Sequence, residues 1–169
     1  MNRVLLASAA LLLLLPAAGA AAKSTDRNQA MSIDAGGQSG NLDGDGKTLL
    51  SGGVVVTQGS LEIRSSAAEI YMAGGEISRS VFTGKQVKMK QQMDNGSWMD
   101  ALADRVEYDM KTETITFIGN YTVKSDRGSN SGQRMVYNTK TGNMQAGGDG
   151  SRIKTVIPPK SAAPAQGKN

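Results

Sequence analysis

The chain has 169 residues, of which 38% are apolar, with 21 glycines and neither cysteine nor histidine. The missing thiols and imidazoles exclude disulfides, thiol nucleophiles and the usual neutral-pH general base, and they remove the commonest metal ligand. The net charge of +4 is spread without a block of one sign, which reads as a solvated surface rather than a nucleic-acid patch.

Residues 1–22 carry Arg3, an apolar run from Val4 to Leu15, then Pro16 and small residues to Ala22. That is the pattern of a secretory signal peptide, with cleavage expected after Ala20 or Ala22. The apolar run is shorter than the roughly 20 residues a membrane span needs. No cysteine follows it, so lipoprotein anchoring is excluded. In a two-membrane bacterium the product is expected to be soluble in the periplasm. Residues 23–29 are expected to form a flexible mature N-terminus, 30–157 one domain, and 158–169 a disordered tail with no apolar side chain larger than alanine.

Between Met31 and Ile157 apolar and polar residues mostly alternate. Val54 and Val56, Leu61 and Ile63, Val87 and Met89, Ile115 and Phe117, and Tyr121 and Val123 stand two apart, the period of a strand. Gln58-Gly59, Gly74-Gly75, Asn95-Gly96, Arg127-Gly128 and Thr141-Gly142 mark tight turns. The sequence also repeats weakly. Arg105-x-x-Tyr108-x-x-Lys111-Thr112 returns as Arg134-x-x-Tyr137-x-x-Lys140-Thr141, which assigns Ala101–Tyr108 to a strand although its spacing is the most helix-like in the chain. A second element, apolar-x-Gly, recurs as Leu50-Ser51-Gly52, Phe82-Thr83-Gly84 and Phe117-Ile118-Gly119. The glycine is expected where a strand turns a corner. Units of roughly 30 residues are too small to bury their own apolar faces, so they must stack and share a core. An elongated antiparallel roll, open along one side, follows; a closed β-sandwich is the alternative.

Catalytic signals are weak. Asp104 lies on the strand face opposite Glu107 and Asp109. Asp43-Gly44-Asp45-Gly46 lacks the further acidic ligands of a calcium loop. Nine methionines, most of them in the strand region, suit an adaptable apolar trough for a chain-like ligand. One buried methylene contributes about 0.8 kcal/mol, so a 12-carbon chain would supply roughly 10 kcal/mol. Several chains fully enclosed would not be handed on, which favours partial burial in an open groove. An exported structural β-solenoid and a polysaccharide-modifying enzyme are the other readings.

Over nearly all of 28–157 the chain resembles the periplasmic lipopolysaccharide-transport proteins of the OstA-like superfamily. The resemblance rests on Asn28-Gln29-Ala30-Met31-Ser32-Ile33, the stretch Leu50-Ser51-Gly52-Gly53-Val54-Val55-Val56-Thr57-Gln58-Gly59, and Met93-Asp94-Asn95-Gly96. Further on it rests on Arg105 with Tyr108, Ile118-Gly119-Asn120, and Tyr137 with Thr141-Gly142 and Met144. Ala30 departs from the family's common proline, and 36–46 is richer in glycine.

The resemblance implies an all-β, elongated, slightly twisted antiparallel β-jellyroll of about 16 short strands, open V-shaped in section. It implies a carrier with no enzymatic activity and no cofactor, which binds lipid A acyl chains in its interior. Its end strands would pair with an inner-membrane anchored, LptC-like component of the transporter, with an outer-membrane LptD-like translocon, and with further copies head to tail. The interior candidates are Ile33, Val54, Val56, Leu61, Ile63, Ile70, Phe82, Val87, Met89, Val106, Tyr108, Met110, Phe117, Tyr121 and Val123, with Met135 and Tyr137 beside them. Met31 and Ile33 would meet a partner at one end, and Ile153, Val156 and Ile157 at the other. Two arguments from the residues agree. Unpaired end strands accept strand addition, and a head-to-tail contact does not close on itself.

Overall fold

The computed structural model describes residues 21–159. Most of the expected signal peptide and of the tail lie outside that range. A 3-10 turn, Ser24–Asn28, precedes ten strands: β1 (Met31–Ser39), β2 (Gly46–Gln58), β3 (Leu61–Ser65), β4 (Ala67–Ala73), β5 (Glu76–Gln92), β6 (Trp98–Asp109), β7 (Thr114–Ser125), β8 (Gly128–Asn138), β9 (Met144–Ala146) and β10 (Lys154–Val156). The strands form one antiparallel sheet in the order β1-β2-β3-β5-β6-β7-β8-β10, with β4 pairing β2 and β5, and β9 pairing β8.

Alternation makes these strands. In β7, Ile115, Phe117, Tyr121 and Val123 are buried while their neighbours are less so. The assignment of Ala101–Tyr108 to a strand holds, since this stretch lies within β6 and buries Ala101, Ala103, Val106 and Tyr108.

A crease crosses the sheet. Pairing shifts register between Ala35 and Gly37 in β1, Thr83 and Val87 in β5, Leu102 and Arg105 in β6, and Ile118 and Tyr121 in β7. β2 pairs with β4 before its double glycine and with β3 after it. β8 pairs with β10 over its first half and with β9 over its second. All three glycines of the apolar-x-Gly element stand at this crease. Gly52 and Gly119 have φ of +75° and +76°, which an L side chain rarely adopts. A Cβ on Gly84 would stand 2.7 Å from the Ser66 hydroxyl oxygen. On the outside, the Asn120 amide donates to Asp104 Oδ2 at 2.9 Å, and Gln133 Nε2 donates to Asn120 Oδ1 at 3.2 Å, tying β6, β7 and β8 together at the bend.

The difference between ten observed strands and about 16 expected ones lies in this bend. Each of β1, β2, β5, β6, β7 and β8 runs through the corner unbroken, and counted as two apiece they restore the larger number. In β6 the bulge changes parity, so Ala103 and Val106 are both buried.

The crease folds the sheet onto itself, and the buried faces of both halves form one apolar cluster. Val87, Ala103, Ile115 and Phe117 are 0% exposed. Each large apolar side chain removed from water contributes about 1.5–3 kcal/mol, enough to hold two layers together without helices.

Residues 23–29 differ from the expectation of a loose end. Their polar composition hid an anchor, because the residue they bury is Asp26, 4% exposed, whose carboxylate accepts a hydrogen bond from the Ser60 hydroxyl.

Candidate functional site: the apolar interior and the two sheet ends

The candidate interior residues come together. Val54, Val56, Leu61, Ile63, Ile70, Phe82, Val87, Met89, Val106, Tyr108, Phe117, Tyr121 and Val123 are buried in a single cluster with Met135 and Tyr137, while Ile33 and Met110 are half-buried against it. Along the middle of the molecule, however, the interior is filled by its own side chains rather than standing open as a trough.

Apolar clefts open at the surface. A cleft of about 150 Å³ is lined by Met93, Met99, Val123, Tyr137 and Met144, with Arg127 among its polar lining residues. It shares Val123, Arg127 and Met144 with a cleft of about 140 Å³ that reaches Val156 and Ile157. A third cleft, of about 320 Å³, lies beside the β4–β5 and β6–β7 turns and is lined by Ala73, Ile77, Met110 and Lys111. Met93, Met99 and Met144 are absent from the sequence-based candidates. The signal for Met99 was present in Met99-x-Ala101-x-Ala103, but two alanines weaken an alternation based on size. Met144 sits on β9, three residues long and mostly exposed, too short to show a period.

Among the described residues, both ends of the sheet are edges. β1 pairs only with β2, directing Met31, Ile33 and Ala35 toward the core and Ser32 and Asp34 to solvent. At the far end, β10 pairs only with β8 and is exposed throughout. There Ile153, Val156 and Ile157 are 46%, 49% and 78% exposed, and Met144 is 58% exposed.

Electrostatics are local. Glu107 lies between Arg79 Nη2 at 2.6 Å and Arg105 Nε at 2.8 Å. Burial would raise its pKa, but the hydrogen bonds from Arg105 and Arg79 outweigh this and hold it below the usual carboxylate range. Burial pushes the Tyr137 phenol up to about 12 and raises Tyr108 as well. Among the described residues no group of three or more acidic side chains could hold a metal, and no helix is long and apolar enough to cross a membrane.

A creased antiparallel sheet wrapped around one elongated apolar core defines the class as a β-jellyroll. LptH of Pseudomonas aeruginosa, described as the LptA-homologous periplasmic component of the lipopolysaccharide transport device, has the same fold: TM-score 0.72, 23% identity, 80% of this chain and 99% of that one. The family model described as LptA/(LptD N-terminal domain) LPS transport protein matches residues 32–143. The lipopolysaccharide export system protein LptA of Escherichia coli K12 is 30% identical over 176 residues, covering 98% of this chain and 93% of its own length. That of Haemophilus influenzae is 32% identical over 148 residues, 85% of each. The chain therefore belongs to the LptA/LptD N-terminal-domain family of lipopolysaccharide transport proteins.

Proposed function

We propose that this chain is a periplasmic lipopolysaccharide carrier that holds acyl chains of lipid A against its apolar interior. It passes them along a bridge between an LptC-like inner-membrane component and an LptD-like translocon, without catalysing a reaction. The observation that carries the reading is the cleft at Met99, Val123 and Met144. Apolar interior reaches the surface there, beside an unpaired end strand with exposed Val156 and Ile157. A strand added to β10 would cover that edge and continue the apolar path into the next molecule. Met89, Met93, Met99 and Met135 lie along the core, and their flexible side chains can re-pack around an acyl chain.

A photo-reactive phenylalanine analogue at Met99 or Val123 is expected to capture lipopolysaccharide in cells, and the same group at Leu49, on the outer face, is not. The packed middle favours a second reading, a structural module with a dry core. Equal labelling at inner and outer positions, or labelling only outside, would favour it.

A further inference from the structure

Opposite the crease, two rows of hairpin turns face each other across the mouth of the fold. One row includes the β2–β3 turn at 59–60 and the β5–β6 turn at 93–97. The other includes the β6–β7 turn at 110–113 and the β8–β9 turn at 139–143. The N-terminal segment from Ala22 to Gln29 is bonded to both rows. Ala22 bridges to Met93 in the first and donates its N–H to the Thr139 carbonyl in the second at 3.1 Å. Lys23 N–H donates to the Gln92 carbonyl at 3.0 Å and Ser24 N–H to Asp94 Oδ1 at 2.8 Å. Asp26 accepts a hydrogen bond from the Ser60 hydroxyl and fills the space over Gly59, where a Cβ would stand 2.9 Å from Asp26 Cα. Arg27 pairs with the Glu113 carboxylate across the gap. Buried Met93 lies against this segment, and Tyr137, also buried, is two residues from the Thr139 carbonyl that Ala22 bonds.

We propose that residues 23–29, with Ala22 where cleavage follows Ala20, are a latch on the mouth, and that acyl chains seat in the interior only after this strap lifts. The inference rests on the lipid-carrier reading and adds what guards the interior. The strap's contacts are almost all hydrogen bonds and one ion pair, which water can replace when it lifts, although Ala22 and Asp26 are themselves buried. The core it covers is apolar, so an apolar occupant gains most from taking its place. Asp26 is the buried anchor of the strap: its hydrogen bond from the Ser60 hydroxyl holds the strap down and is lost on release. In its seated position the strap keeps the empty core dry, which accounts for a lipid carrier whose middle is closed when it carries nothing.

The absence of cysteine makes the test clean. In Arg27→Cys/Glu113→Cys, a reducible bismaleimide pins the strap across the mouth, with linkage confirmed by mass. Association of lipopolysaccharide labelled on its sugar is then followed by fluorescence. The linked protein is expected to bind slower, on the order of tenfold or more, with recovery on reduction, because only the open population admits ligand. Asp26→Ala, which leaves the strands untouched, is expected to speed association above the parent's rate. Equal rates for linked and reduced protein would overturn the latch and leave the carrier reading standing. Absence of binding in the parent, the reduced and the linked protein alike would overturn both.

Discussion

Gly36 and Gly52 meet backbone to backbone where β1 and β2 turn the corner. A Cβ on Gly36 would stand 2.8 Å from the Gly52 carbonyl oxygen, and one on Gly52 3.0 Å from Gly36 Cα. The crease at this end of the sheet exists because neither residue has a side chain. Gly52 also has φ +75°, whereas Gly74, with φ +64°, has open space around it. Gly74→Ala is expected to cost about 1–2 kcal/mol through backbone strain alone. Gly52→Ala should cost more, read as a larger drop in the urea midpoint. Equal losses would contradict the close approach as the reason for glycine at Gly52.

The two layers share one core, and Phe117 sits in it at 0% exposure. Phe117→Ala is expected to lose about 3–5 kcal/mol of unfolding free energy. Leu49→Ala, on the outer face and 44% exposed, should stay within about 0.5 kcal/mol. Comparable losses would mean that the two halves do not pack as described.

Much of this was legible in the residues. Alternation in Leu61/Ile63, Ile115/Phe117 and Tyr121/Val123 gave the strands and their buried faces, because a half-buried strand leaves a period of two. The apolar-x-Gly recurrence located the corner at Gly52, Gly84 and Gly119. It could not locate the same corner in β3–β4 or β6, where Ser66 and Asp104 stand at the bend, since neither residue signals a kink. The strap was missed because its buried residue is an acid, and only the folded turn at Gly59-Ser60 makes a place for it. The closed middle was missed because alternation tells which face is inward but not whether the facing layer reaches it.

Buried tyrosines make alkaline stability a test of packing. Tyr137 is 1% exposed, and its phenol is raised from 10.0 to about 12, chiefly by burial. A raised phenol means that the folded state holds its proton more tightly than the unfolded chain does. Its contribution is therefore complete below about 10 and is lost as the pH rises through about 12. Absorbance at 295 nm should show late-titrating tyrosine that ionises together with loss of the circular dichroism signal. Ionisation of all four tyrosines near their ordinary value, with the fold intact, would contradict the burial of Tyr137.

Head-to-tail stacking would cover the exposed apolar end at Val156 and Ile157. Val156→Asp with Ile157→Asp is expected to leave the strand spectrum unchanged and to lower the average mass at high protein concentration in light scattering. Ile33→Asp, which sets a charge against the core beneath β1, should weaken retention on an LptC-like component by loosening that edge strand, with a small loss of stability. Unchanged mass and retention would place the contacts elsewhere.

The central claim is that the interior takes acyl chains. The most direct measurement is competition between intact and fully deacylated lipopolysaccharide for the purified protein, read by native mass spectrometry. Intact lipid should bind and be displaced by unlabelled intact lipid, while the deacylated saccharide should neither bind nor compete at the same concentration. Equal binding of both would place recognition on the sugars and phosphates and contradict an apolar carrier.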